Sequence, residues 1–195
     1  VVNKPLNSNN PKIIDYANSS LRNDFMDVYL GAKCSFCIST GYGFEEVPLI
    51  FGRPIAFLGL PIGDLHTNKE KFLLITKHHF FKKEKRKLSL SEIFSHGVAY
   101  AFDTKVFEQK GIELVDYTPD EIKHFVIEMV ENLEFKKKLN SEDEELQKTF
   151  KSLFVSNLKR FNPPEKIKNP FHKAHFKIRS RFSSKFLRDN KDWLK

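Results

Sequence analysis

The sequence predicts an α/β domain in which helices flank a parallel, Rossmann-like sheet. A short apolar strand at Cys34–Ile38 runs into the glycine-rich turn Ser39–Gly43, and a helix is expected from Phe44 to Phe51. Gly52 ends that helix, and Pro54–Leu58 has the apolar character of a second buried strand. A strand, a glycine turn, a helix and another strand in this order form a βαβ unit, which pairs its two strands in parallel.

The other strands and the first helix follow from apolar patterning. Residues 1–12 are a polar loop or linker, and apolar residues at helical spacing predict a helix from Ser20 to Leu30, ended by Gly31. The apolar segments Phe72–Thr76 and Ile112–Val115 are predicted strands. A polar loop of Lys and His residues is expected directly after the first of these two strands.

Three later helices are predicted from their first residues. Ser89 to Glu92 and Thr118 to Glu121 are capping boxes, in which the first side chain and an acidic side chain three positions later bind each other's backbone amides. In the second box Pro119 fills the first helical position, where its missing N–H costs nothing. A third helix is expected to begin at Ser141–Glu144.

Composition limits the class of protein. The 195 residues include 33 Lys and Arg against 25 Asp and Glu, and 40% of them are hydrophobic. That apolar content excludes a chain that is disordered throughout. No apolar run approaches the roughly 18 residues of a membrane span. Two Cys are too few for a disulfide scaffold, which favours a reducing, cytoplasmic setting.

The excess positive charge is concentrated near the C-terminus. Residues 161–195 contain ten basic and three acidic side chains, whereas the preceding residues are nearly balanced. We therefore divide the chain into a linker (1–12), a Rossmann-like domain (13–160) and a basic tail (161–195) that packs back on the domain and ends in a short helix. Phe residues interleave with these cations, a pattern also typical of nucleic-acid-binding modules, so that alternative stays open.

The turn after the first strand is the strongest candidate for a binding site. It precedes a helix, where free backbone amides and the positive end of the helix dipole favour an anion such as phosphate. Gly41 and Gly43 let the backbone approach a ligand closely. The hydroxyl groups of Ser39 and Thr40 can donate to phosphate oxygens. Glycines in such a turn can also be present only because the backbone turns tightly. A phosphate-binding turn and a purely structural turn therefore both remain possible interpretations at this point.

Charged side chains near the turn extend the candidate site. Glu45 and Glu46 can accept hydrogen bonds from a ribose diol, or can simply stabilise the first turn of the helix. Arg53 and Lys77 lie near predicted strand ends and can neutralise a diphosphate. His78 and His79 include a candidate general acid or base, although adjacent residues of an extended chain point in opposite directions.

Several segments resemble a glycosyltransferase family of bacterial surface-polysaccharide loci. The resemblance covers most of residues 13–194. It rests on Asp15-Tyr-Ala17, Asp24-Phe-Met-Asp27, Phe36-Cys-Ile-Ser-Thr-Gly41, Gly43, Pro48-Leu-Ile-Phe-Gly-Arg-Pro-Ile55, the block from Gly111 to Ile122 and the block from Ser180 to Asn190. More broadly, the chain is similar to the donor-binding, C-terminal half of the two-domain GT-B fold. Nonhydrolysing nucleotide-sugar epimerases share that fold and a stretch similar to Gly43-Phe-Glu-Glu46.

The resemblance implies a function and a set of site residues. It implies transfer of a sugar from a nucleotide sugar to a glycan or lipid-linked acceptor, without a cofactor, in the cytoplasm at the inner face of the membrane. The diphosphate would lie on Ser39, Thr40, Gly41 and Gly43, with ribose near Phe44 and on Glu45 or Glu46. Arg53 or Lys77 would face the diphosphate as it leaves. An N-terminal half would carry the acceptor site, so this chain alone is expected to be inactive, and its catalytic residues are not identified.

The remaining motifs point away from metal chemistry. Cys34 and Cys37 have the spacing of metal ligands, but residues three apart in a strand face opposite sides, and no second Cys pair exists. We therefore predict two core thiols. The sequence has no Asp-x-Asp, which favours a metal-independent transferase. A nucleotide-sugar epimerase and a basic nucleic-acid-binding module remain as alternative functions.

Overall fold

The computed structural model describes residues 4–41, 43–65, 69–134, 138–162 and 176–195. Within these ranges the chain forms a parallel sheet and a smaller antiparallel sheet, with helices packed around them. The helices are α1 (Asp24–Lys33), α2 (Glu46–Ile50), α3 (Leu90–Ser95), α4 (Thr104–Gln109), α5 (Pro119–Glu134), α6 (Ser141–Phe161) and α7 (Ser184–Asp189). The predicted α/β class, with helices flanking a parallel sheet, is confirmed.

The larger sheet has four parallel strands: β1 (Cys37–Ser39), β2 (Ile55–Leu58), β3 (Phe72–Ile75) and β7 (Arg181–Phe182). They lie in the order β1-β2-β3-β7. The predicted βαβ unit is confirmed, because β1 and β2 pair in parallel on either side of α2. β2 and β3 are buried on both faces, which explains their continuous apolar sequences. The order of the described strands does not reverse, so strand order alone defines no ligand crevice.

The segment after β3 differs from the predicted polar loop. His78–Phe81 forms β4, which lies between β5 (Arg86–Lys87) and β6 (Ile112–Val115) in an antiparallel sheet. The Lys-rich sequence is confined to the turn between β4 and β5, where Lys85 has a φ of 52°. β4 forms because strands on both sides satisfy its backbone and because its two His side chains are buried.

Helix starts were the most predictable local features. In the first capping box the Ser89 hydroxyl accepts from the Glu92 amide at 3.4 Å, and Glu92 Oε2 accepts from the Ser89 amide at 2.8 Å. Thr118 and Glu121 form the same reciprocal pair at the start of α5. The short helix α4 was not predicted. Its N-cap is Asp103, whose carboxylate accepts from the Lys105 amide.

The first helix differs from its prediction in extent and in the face that it exposes. It begins after Asn23, which caps it, and continues through Gly31 to Lys33. A Cβ at Gly31 would lie 2.6 Å from Val47 of α2, so glycine is needed there for helix contact rather than for a helix end. Phe25 and its neighbours on the apolar stripe are exposed, so this stripe faces away from the sheet.

This exposure leads to a first prediction. Because the Phe25 side chain is 72% exposed, we expect Phe25→Ser to change the free energy of unfolding by less than about 0.5 kcal/mol. Urea unfolding of the chain measures this value. A loss above about 2 kcal/mol would show that the exposed face of α1 is packed in the folded chain.

Residues 176–195, which all belong to the predicted basic tail, contribute to the aromatic core. Phe182 on β7 is fully buried, and its ring lies 4.6 Å from that of Phe150 and 5.3 Å from that of Trp193. Gln147 of α6 donates to the Phe182 carbonyl at 2.6 Å and accepts from the Phe182 amide at 3.1 Å. The C-terminal segment therefore supplies the strand beside β3 and one wall of the core.

Candidate functional site

The predicted turn lies at the carboxyl edge of the parallel sheet, directly after β1. Gly41 has a φ of +85° and Gly43 one of +109°, a region that side chains rarely adopt. A Cβ at Gly41 would lie 2.2 Å from Leu60, so only glycine fits there. The space beside Gly43 is open to at least 4 Å. The backbone is therefore accessible to a ligand at Gly43 and closed by packing at Gly41.

The turn already holds a carboxylate from its own chain. Oε2 of Glu45 accepts a hydrogen bond from the Ser39 hydroxyl at 2.9 Å and one from the Gly43 amide at 2.9 Å. The same hydroxyl accepts from the Gly41 amide at 3.0 Å. Glu45 is only 4% exposed. Two donors of the turn thus converge on one oxyanion position, and Glu45 fills it.

The neighbouring predicted residues remain accessible. Thr40, Phe44 and Glu46 are exposed, and Glu46 is the first residue of α2. Because Glu45 is engaged with the turn, Glu46 is the carboxylate in this stretch that remains accessible to a ligand.

Lys77 lies on the same edge, after β3. Its side chain passes close to Gly59, where a Cβ would be 3.7 Å from Lys77 Cε. The ammonium binds Asp116 Oδ1 at 2.5 Å, and this contact lowers the pKa of the Asp116 carboxyl. β3 is two strands from β1, a separation of roughly 10 Å. Lys77 therefore does not touch the turn but borders the same surface.

Arg53 is not brought to the turn. It precedes β2 and so lies at the amino end of the sheet, the edge opposite to Ser39. Its Nε donates to the carbonyl of Ala32 at 2.5 Å, where it satisfies the last turn of α1. Its position fits a helix-capping role. In the sequence, a cation next to a predicted strand has the same appearance whether it caps a helix or binds a ligand.

The two thiols are half-buried and unbonded to each other. Cys34 and Cys37 line a cavity of about 550 Å³ between α1 and β1. Burial raises the pKa of Cys37 to about 11, with smaller contributions from Cys34 and Glu45. Over the residues that the structure describes, no three His, Cys, Asp or Glu side chains are grouped as metal ligands.

A cleft at the carboxyl ends of β3 and β7 brings together polar side chains that sequence analysis did not group. It has a volume of about 270 Å³, and we call it the His78 cleft. Its polar walls include His78, Lys87, Glu121, His124 and Asn190. His78 was a candidate from its position after a strand. Glu121 was recognisable in the sequence only as a capping residue, and no sequence signal joined it to His78.

The cations of the C-terminal segment are largely paired with acidic residues. Lys191 binds Glu142 at 2.6 Å, Lys185 binds Asp189 at 2.8 Å, and Arg188 contacts Asp143. Phe182 and Phe186 are buried and are not available to stack on bases. The tail also contains His172 and His175, a pair that lacks a clear third metal ligand in the sequence. These two residues and the other predicted tail residues between 163 and 175 lie outside the described residues.

Comparison of the chain with protein-family models, with curated proteins and with solved structures gave no match. In the part of the chain that the structure describes, none of the helices combines the length and apolarity required to cross a bilayer.

Proposed function

We propose that this chain is the donor-binding half of a GT-B-type glycosyltransferase and that the carboxyl edge of its parallel sheet binds a nucleotide sugar. The acceptor would be a glycan or a lipid-linked sugar, with a cytoplasmic location at the inner face of the membrane. The observation that carries the proposal is the turn after β1. There the Ser39 hydroxyl and the Gly43 amide converge on a single oxyanion.

The bound carboxylate of Glu45 defines how a diphosphate would be accepted. A phosphate oxygen that takes the same two donors must displace Glu45 Oε2, because one position cannot hold two anions. Gly43 leaves room for such a ligand, since nothing lies within 4 Å of its missing side chain. Glu45 is therefore expected to compete with the ligand rather than to hold ribose.

Other features of the same edge support this proposal. Lys77 lies two strand spacings away and can face the far phosphate, while exposed Glu46 can accept from the ribose diol. The exposed apolar face of α1 offers a surface for the second, acceptor-binding domain that the proposal requires. An epimerase would use the same donor site, and a requirement for an acceptor separates the two functions.

A thermal-shift panel with UDP, GDP, CDP and CMP tests the proposal. A ligand at 100 times its dissociation constant adds about 2.7 kcal/mol. At about 2–4 °C per kcal/mol, we expect one diphosphate to raise the melting temperature by roughly 5–10 °C. Gly43→Val should abolish the shift. Gly97→Val is the matched control, because Gly97 also has a positive φ and open space but lies beyond α3. Equal shifts in both variants would contradict the proposal.

Substitutions of Glu45 and Glu46 are expected to change ligand affinity in opposite directions. Glu45→Ala removes the acceptor of two half-buried donors that water can partly satisfy, and we expect it to cost about 0.5–1.5 kcal/mol of unfolding free energy. It should nevertheless bind the diphosphate more tightly than the unmodified chain, whereas Glu46→Ala should bind it more weakly with unchanged stability. Calorimetric titration measures both affinities. Weaker binding by Glu45→Ala would show that Glu45 holds the ligand itself.

A further inference from the structure

The His78 cleft is built from four separate elements at the carboxyl edge. β4 supplies His78, β5 supplies Lys87, α5 supplies Glu121, and Asn190 follows α7. The cleft adjoins a larger open cavity of about 860 Å³, which shares His78, Lys87, Asp189 and Asn190 with it. Together they are large enough for a small organic ligand, for which pockets of about 300–1,000 Å³ are usual.

The imidazole of His78 is held in one orientation. Its ring stacks on Phe186 with centroids 5.0 Å apart, and its Nε2 lies 3.9 Å from Glu121 Oε1. The other carboxylate oxygen of Glu121 is fixed by the Thr118 amide at 2.7 Å and the Thr118 hydroxyl at 2.8 Å. Burial, with a further contribution from the Lys87 ammonium, lowers the pKa of His78 to about 4. The ring is therefore neutral near pH 7 and can accept a hydrogen bond.

In the described part of the chain, the cleft contains an ammonium group outside any close ion pair and acceptor atoms that have no donor. Among the described residues no carboxylate lies within 4 Å of the Lys87 ammonium, whereas the neighbouring Lys185 is paired with Asp189. Asn190 donates its Nδ2 to the Phe186 carbonyl, which leaves its Oδ1 as an acceptor. Glu121 Oε1 is a third acceptor, since the capping box uses only Oε2.

We propose that the His78 cleft binds a sugar that carries a phosphate or carboxylate group. Lys87 would pair with the charged group, and the imidazole of His78, the carboxylate of Glu121 and the side-chain carbonyl of Asn190 would accept hydrogen bonds from sugar hydroxyls. An anion that carries hydroxyl groups fits these side chains, because its hydroxyls can donate to the three acceptors while its charge pairs with the Lys87 ammonium. A simple anion would leave three acceptors without donors.

This site uses none of the residues of the turn after β1. The turn follows β1, whereas the cleft lies at the end of β3, two strand spacings or roughly 10 Å away, so nucleotide binding at the turn and sugar binding in the cleft can succeed or fail independently.

Proton NMR of the His imidazole signals in the full chain tests the proposal. The probes are glucose 6-phosphate, glucuronate, glucose and inorganic phosphate. We expect the His78 signal, assigned by its absence in His78→Gln, to move with the two charged sugars and to saturate at concentrations about tenfold lower than with glucose or phosphate. His79 is the internal control, because its ring is buried on the same strand against Phe107.

Lys87→Met and Lys83→Met provide matched variants. Lys87→Met should weaken binding of glucose 6-phosphate by about tenfold and leave that of glucose unchanged, whereas Lys83→Met, in the exposed hairpin turn, should change neither. Three results would overturn the proposal: no movement of the His78 signal with any probe, equal affinity for inorganic phosphate and glucose 6-phosphate, or unchanged affinity in Lys87→Met.

Discussion

Phe182→Ala is expected to lower the free energy of unfolding by about 3–5 kcal/mol, as for other fully buried Phe residues. The Phe182 ring packs against Phe150, Phe186 and Trp193, and the Gln147 side chain holds its backbone on both sides. Loss of the ring leaves a cavity beside β3 that these large neighbours cannot fill. Urea unfolding followed by Trp fluorescence measures the change, since Trp193 reports directly on this cluster.

Phe102→Ala is the matched control, because its side chain is 67% exposed. We expect that variant to change stability by less than about 0.5 kcal/mol. A chain that ends at residue 175 should fail to unfold cooperatively, since it lacks β7 and the aromatic residues that follow it. A cooperative transition at unchanged urea concentration would mean that the C-terminal segment is a detachable tail.

Stability should also fall steeply with pH below neutrality. Burial lowers the pKa of both His78 and His79 from about 6.5 to about 4. Well above pH 6.5 both rings are neutral in the folded and the unfolded chain, so they do not change the free energy of unfolding. As the pH falls, the unfolded chain binds protons first and is favoured. Between pH 7.5 and pH 5 we expect a loss of about 2 kcal/mol for each His.

Variants assign this loss to the two residues. His79→Leu should remove about half of the pH dependence, because the His79 ring contacts Phe107 and the Lys77 carbonyl rather than an acidic side chain. The rest belongs to His78, whose surroundings include Lys87 and Glu121. Urea unfolding at several pH values in this window provides the slopes. A flat profile in the unmodified chain would show that both rings protonate in the folded state.

The parts of the fold that sequence analysis predicted are those with local causes. The capping boxes at Ser89 and Thr118 satisfy the free amides of their helix ends within four residues, so the local sequence is sufficient to predict them. The βαβ unit follows from apolar strands of the usual length around a glycine turn. β4 was missed because its burial comes from α7 and β6, elements far away in the chain.

The first helix and the C-terminal strand depend on contacts that the local sequence does not predict. The apolar stripe of α1 predicts a helix correctly but not which side of it is covered, because periodicity contains no information about the partner. β7 is only two residues long and lies in a strongly basic segment of the sequence. Its place beside β3 depends on Phe182 entering an aromatic cluster that forms only in the folded chain.

The sequence predicts where the candidate site lies in the fold, but it does not predict which contacts its side chains make. Ser39, Gly41 and Gly43 lie at the carboxyl edge, as their position after a strand predicts. Glu45 and Glu46 are adjacent and chemically identical, yet one is buried on the turn and the other is exposed. That difference arises from the direction of each side chain at the start of α2, where Glu45 is the residue before the helix and Glu46 its first residue, and composition and spacing do not encode it.

The most direct measurement of the central claim is the backbone amide spectrum of the isotopically labelled chain during titration with the diphosphate selected by the thermal-shift panel. The proposal predicts that the Gly43 amide signal moves and saturates together with the Ser39 signal, because the Gly43 amide and the Ser39 hydroxyl both exchange Glu45 for a phosphate oxygen. In Glu45→Ala the same movement should occur at lower ligand concentration. Unmoved Gly43 and Ser39 signals, with a saturable change elsewhere, would contradict the proposal.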